Sequence, residues 1–157
     1  MIRAAGLTEG MADWMRTWMP GKSVCYSEDF AALVGEEHFR EFFLPADSQI
    51  MPKLDTAYLH LHSGALPCLP AVLEIPGLKA LELSNDPSGP AMPALIRAGQ
   101  QVQQANIRLQ MSNWEHPITR EELNMLLKEL DPRGLKITLQ AKSIDEAHAL
   151  GVVARAK

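Results

Sequence analysis

The chemistry available to this chain is concentrated in His60-Leu61-His62-Ser63-Gly64. Residues two apart on a β-strand point the same way, so the two imidazoles share a face at a spacing from which one metal ion takes a nitrogen from each. Zinc requires at least a third ligand, and Glu28, Asp29, Glu82 and Cys25 are the candidates by chemistry. The plainer alternative is that both rings hydrogen-bond to neighbouring strand-end groups and line a polar mouth.

Two carboxylates stand out as candidate catalytic groups. Asp29 follows Ser27-Glu28 and precedes Phe30, where it either orients a substrate or caps the helical turn that follows. Glu82 lies between Leu81 and Leu83 on an apolar strand. If it faces the interior, burial makes it a candidate acid or base; the other reading is an exposed position in a shortened sheet. Neither cysteine reads as a nucleophile. Cys25 suits a small buried apolar position, and Cys68 sits beside prolines without a basic neighbour to lower its pKa.

These residues need elements to hold them, and the chain supplies a rhythm from Ala57 onward: apolar strand, polar strand end, helix, turn. The strands expected are 57–63, 78–84, 107–112 and 135–141, each followed by a helix, at 65–74, 92–104, 120–130 and 144–154. Ser23–Ser27 is a further short strand, and residues 36–53 form a helical segment that Pro45 breaks or bends. Thr119 before Glu122 and Ser143 before Glu146 have the spacing of helix caps with their acidic partners. Strands alternating with crossover helices imply a parallel sheet, and in such sheets ligands bind at the carboxyl ends of the strands. The expected organisation is one domain over 1–157. An N-terminal helix over 1–21, with Leu7, Met11, Trp14, Met15 and Trp18 on one face, precedes βα units over 22–157.

Composition narrows the classes of function. A net charge of −4 with scattered Lys and Arg gives no basic stripe for a phosphate backbone, so nucleic acid is not an expected partner. Proline interrupts the longest apolar stretches well short of the roughly 20 residues that span a bilayer. Glu9 and Asp13 interrupt the N-terminus, which lacks the apolar core of a secretory signal, and two cysteines make a poor disulfide framework. A cytoplasmic protein is expected.

The ordered strand-end residues resemble the C-terminal part of the uroporphyrinogen decarboxylase superfamily. The resemblance runs from about Val24 to the end, through Ser27-Glu28-Asp29-Phe30, Phe39-Arg40-Glu41-Phe42-Phe43-Leu44-Pro45, His60-Leu61-His62-Ser63-Gly64-Ala65-Leu66-Pro67, Leu73-Glu74-Ile75-Pro76-Gly77-Leu78 and Asp131-Pro132-Arg133-Gly134-Leu135. It is closer to the methyltransferase-like branch. It implies a (β/α)8 barrel whose members include cofactor-free porphyrinogen decarboxylases and corrinoid-dependent methyltransferases that use zinc to make a thiolate nucleophile. In the zinc-dependent members the strand motif is His-x-Cys, with another Cys at the end of the last strand. His60 matches the first ligand, His62 stands in the Cys position, and Ala141 falls where the last Cys would be. Decarboxylation would call for cations to bind substrate carboxylates, and only Lys142 and Arg108 are near strand ends.

The resemblance accounts for about five strands, whereas a complete barrel of this type needs about 250 residues. A half-barrel is therefore expected, with two unpaired edges and an apolar inner face that a homodimer or a complementary barrel half would cover. The leading functional expectation is a non-catalytic or degenerate small-molecule-binding domain. The alternative is a zinc-dependent enzyme that activates a thiol and works only as an assembled barrel, with His60 and His62 as ligands.

Overall fold

The structure is a computed structural model, and it describes residues 10–12, 17–113 and 117–155. Five strands form one all-parallel sheet in sequential order: β3 (Ser23–Ser27), β4 (Thr56–His62), β5 (Leu78–Asn85), β6 (Arg108–Asn113) and β7 (Leu135–Ile137). Helices α1 (Glu36–His38), α2 (Leu44–Ile50), α3 (Leu69–Val72), α4 (Met92–Gln104), α5 (Arg120–Glu129) and α6 (Ile144–Arg155) occupy the connections and the segment after β7. The fold is the expected α/β arrangement of parallel βα repeats, in which each strand pairs with the next along the chain.

Strand alternation sorts the side chains. On β4, Ala57, Leu59 and Leu61 join Leu81 and Leu83 of β5 and Leu109 and Met111 of β6 in the main core. Helix α4 contributes Leu95, Ile96 and Val102 to it. The other parity, Tyr58, His60, His62, Glu82, Ser84, Gln110 and Ser112, lies on the opposite face of the sheet. Toward the carboxyl ends that second face is polar, which corrects the expectation of an apolar inner face there; at the amino ends Cys25, Tyr58 and Ala80 form a small apolar cluster with Met19. Buried Tyr58 donates its hydroxyl to Gln110 Oε1 at 2.6 Å, and Gln110 Nε2 donates to Thr138 Oγ1 at 3.3 Å.

The N-terminal helix expected over 1–21 is also corrected where the chain is described. β1 (Gly10–Ala12) and β2 (Trp18–Pro20) pair antiparallel, with Met11 opposite Met19; Leu7, Trp14 and Met15 lie outside the described residues. Tertiary contacts override the helical spacing. Met19 is buried against Tyr58, and a Cβ on Gly10 would meet the Met19 carbonyl oxygen at 2.3 Å, so glycine permits the close cross-strand approach. The segment then straps the amino-end half of the polar face. Thr17 Oγ1 donates to Gln110 Oε1 at 3.2 Å, Lys136 Nζ donates to Thr17 at 2.6 Å, and Thr56 Oγ1 donates to the Pro20 carbonyl at 3.2 Å.

Prolines account for the remaining departures. The segment from Glu36 widens into a π turn over Phe39–Phe43 immediately before Pro45, whose ring would collide with the carbonyl four residues back in an ordinary helix. The helix expected over 65–74 divides into a 3₁₀ stretch, Ser63–Cys68, and the short α3, because Pro67 and Pro70 have no N–H to give. No helix among the described residues is long and apolar enough to cross a membrane.

Candidate metal centre

The carboxyl ends of β3, β4 and β5 bring the singled-out residues together. In the parallel register Ser27 lies beside His60, His60 beside Glu82, and His62 beside Ser84, so the histidines meet the acids of β5 across a hydrogen-bonded pair of strands. Glu82 is completely buried and His60 nearly so. His60 Nδ1 bonds Glu82 Oε2, and Ser112 Oγ, from β6, donates to Glu82 Oε1. Both Glu82 oxygens are thus engaged, one by the His60 ring and one by the Ser112 hydroxyl.

His62 repeats the arrangement with a different acid. Its Nδ1 lies 3.0 Å from Asp86 Oδ1, which also accepts from Ser84 Oγ at 3.0 Å. Asp86 Oδ2 accepts from Ser63 N–H at 2.9 Å and from Ser63 Oγ at 3.1 Å, while Asp86 N–H donates back to Ser63 Oγ at 3.1 Å. Burial pushes the Asp86 carboxyl up, but the His62 hydrogen bond and charge, with the Ser84 and Ser63 hydroxyls, outweigh it and hold the group below its ordinary value. Gly89 lets the 86–90 loop close over this point, since a Cβ there would sit 2.0 Å from Ser63 Oγ.

Each Nδ1 bonds a carboxylate, and the two Nε2 atoms face each other at 3.3 Å across rings set edge to face. Asp29 Oδ1 is 3.3 Å from His62 Nε2, and the three ligand atoms all lie within 4.8 Å of one another. Imidazole nitrogens and a carboxylate oxygen are donor atoms that a divalent ion such as zinc accepts. Ligand atoms about 2.05 Å from zinc and separated by the tetrahedral angle lie about 3.3 Å apart, against about 2.9 Å for neighbours at a right angle. The two spacings that involve His62 Nε2, 3.3 Å to His60 and 3.3 Å to Asp29, match the tetrahedral case. The outer carboxylates on both Nδ1 atoms are the partners that orient histidine ligands in metal sites.

Compared with protein-family models, with curated proteins and with solved structures, the chain matches none of them. The reading of the site rests therefore on its own geometry.

Of the candidate third ligands, Asp29 meets the histidine pair. It is the first residue of the 3₁₀ turn Asp29–Ala32, its Oδ1 accepts from Ser27 Oγ, and it caps nothing, so the capping alternative is set aside. Glu82 is interior, as one of its two readings expected, and it backs His60 instead of joining the ligand atoms. Cys25 is one pleat lower, opposite Tyr58, and packs against the Met19–Tyr58 pair. Glu28 falls among different neighbours: burial, then Asp47 and Asp29, push its carboxyl up to about 7. Ala141 has no donor atom and lies exposed beyond β7. Cys68 is buried, donating weakly to the Ala31 and Val34 carbonyls, and burial pushes its thiol up.

Asp86 and Ser112 are the functional residues the sequence reading left out of its ligand set. Asp86 directly follows β5, and the parity of 82 and 84 carries on to 86, in line with the histidine face. Ser112 had no sequence signal beyond its place at a strand end.

Proposed function

We propose that this chain is a divalent-metal protein, with zinc as its ion, in which His60 Nε2, His62 Nε2 and Asp29 Oδ1 are the ligands and Glu82 and Asp86 hold the two imidazoles. The observation that carries this reading is the pair of Nε2 atoms 3.3 Å apart whose Nδ1 atoms are each tied to a carboxylate. Three protein ligands leave a fourth position for an exogenous group, the arrangement of catalytic and not of structural zinc. Bound there, zinc would lower the pKa of a water or thiol to near neutrality. The chain's own residues bind the ion, fix its donors and set the charge around it. This favours the enzyme alternative over the degenerate binding domain. The likeness to the uroporphyrinogen decarboxylase superfamily supports a thiol as the activated group, although two nitrogens and one oxygen here replace a thiolate-rich ligand set.

Elemental analysis of protein purified without a polyhistidine tag tests the reading. One zinc per chain is expected, lost in the His60→Ala/His62→Ala variant while the fold persists by circular dichroism. Absence of zinc, with no uptake on dialysis against it, would remove the proposal, and iron in its place would replace tetrahedral activation with the chemistry of a two-histidine, one-carboxylate iron site.

A further inference from the structure

The charges around this centre do not balance, and the imbalance bears on what it accepts. Asp29, Glu82 and Asp86 are three carboxylates within one or two bonds' reach of the ligand atoms. Their hydrogen-bond donors are histidines, serine hydroxyls and a backbone N–H. Among the described residues no lysine or arginine pairs with any of them: the ion pairs of Arg40, Lys128 and Arg133 are with Glu36, Glu74, Glu129 and Asp131. Counted over the described residues, a divalent ion held by neutral imidazoles leaves the centre with a net charge of about −1 before any substrate arrives. Two of the three charges are buried or partly buried, where salt screens them least.

We infer that the centre selects neutral and cationic ligands and discriminates against anionic ones. The inference rests on the metal reading above and narrows it to a substrate class: a thiol, or another group that ionises on the metal, carried on a molecule with an amine or no charge in place of a carboxylate or phosphate. A thiolate already takes the centre to about −2, and a second negative group a few ångströms away meets that whole charge, whereas an ammonium is attracted by it. Asp86 is the useful lever, because it contributes charge through His62 without supplying a ligand atom.

The test uses the full chain loaded with cobalt(II), whose absorption reports the coordination sphere and whose sulfur-to-metal charge-transfer band reports thiolate binding. Cysteamine, 2-mercaptoethanol and 3-mercaptopropionate are titrated as cationic, neutral and anionic thiols of similar size. Dissociation constants are expected to rise in that order, by about tenfold from the first to the last at low ionic strength, and the spread is expected to shrink with added salt. In Asp86→Asn, which keeps an acceptor for His62 Nδ1, the cysteamine-to-mercaptopropionate ratio is expected to fall several-fold. Intrinsic differences among the thiols cancel in that comparison. Cobalt binding with no discrimination, with preference for the anionic thiol, or with a ratio unchanged in Asp86→Asn would overturn the inference and leave the metal reading standing. Failure to bind cobalt would remove both.

Discussion

Two groups of carboxylates flank the carboxyl end of β3, and they are built in opposite ways. On the polar face, Glu82 and Asp86 have every oxygen engaged by a histidine, a hydroxyl or a backbone N–H. On the helix-facing side, Tyr26, Glu28 and Asp47 are brought together with few partners, and the Tyr26 hydroxyl and Asp47 Oδ2 have none. The pKa directions follow. Asp86 stays below its ordinary value, whereas burial pushes Asp47 up to about 6 and, with Asp47 and Asp29, pushes Glu28 up to about 7. Burial, followed by Asp47 and Glu28, also pushes the Tyr26 phenol up. Burial acts on both groups; what separates them is whether donors were supplied. Asp86 is held as a carboxylate, whereas Asp47 and Glu28 take up protons at a higher pH than carboxyls ordinarily do.

The largest effect that would break this comparison is expected at Glu82. Glu82→Gln keeps an oxygen to accept from His60 Nδ1 but removes the charge behind the imidazole and places an amide where Ser112 now donates. Zinc affinity should fall by about 10- to 100-fold, the range seen when an outer partner of a ligating histidine is lost, as measured by competition with a chromophoric chelator. Affinity unchanged in this variant would mean that Glu82 is only a buried partner of Ser112.

Asp47→Asn probes the other group, and its sign is opposite. The folded-state pKa of Asp47, about 6, lies above its ordinary value of 3.8. The folded chain thus holds more protons between those values, and this group's contribution to stability is lost as pH rises through that window. The variant should match the parent near pH 4 and exceed it by about 2 kcal/mol above pH 6.5, read as the difference between urea unfolding free energies across pH. A destabilising substitution at neutral pH would show that the Asp47 charge has a partner.

The sequence was informative where one strong periodicity decides the answer. The five parallel strands, α4 at 92–104 and the Thr119–Glu122 cap follow from alternation, helical spacing and capping chemistry. The histidine face was legible for the same reason, since two residues on one strand share a side whatever the rest of the chain does. Which acid completes the triad was not, because Glu28, Asp29, Glu82 and Cys25 differ by a residue of register or a turn, and only pairing places Ser27 beside His60 and Glu82 on the other side of it. The N-terminal strand pair was hidden too. Leu7, Met11, Trp14, Met15 and Trp18 fit a helical face, and the cover they would seek depends on a sheet formed by residues far along the chain. The polar inner face was readable in principle from Tyr58, His60, Glu82, Gln110 and Ser112, but expecting a half-barrel to expose an apolar interior obscured it.

The smallest effect separates orientation from support within the charged group itself. Ser84 is fully buried, and its hydroxyl donates to Asp86 Oδ1 at 3.0 Å, the same oxygen that accepts from His62. Ser84→Ala deletes one donor and leaves His62, the Ser63 N–H and the Ser63 hydroxyl on the carboxylate. Stability should fall by about 1.5 kcal/mol, the low end for a hydrogen bond to a charged acceptor, because Asp86 keeps its other partners. Zinc affinity should change by less than about threefold, because the imidazole retains its acceptor. Unfolding followed with and without zinc measures both quantities, since the added stabilisation at fixed zinc depends only on affinity for the folded chain. If Ser84→Ala weakened zinc as much as Glu82→Gln, the site would depend on a single cooperative network across β4, β5 and β6, and the division into separately held histidines would fail.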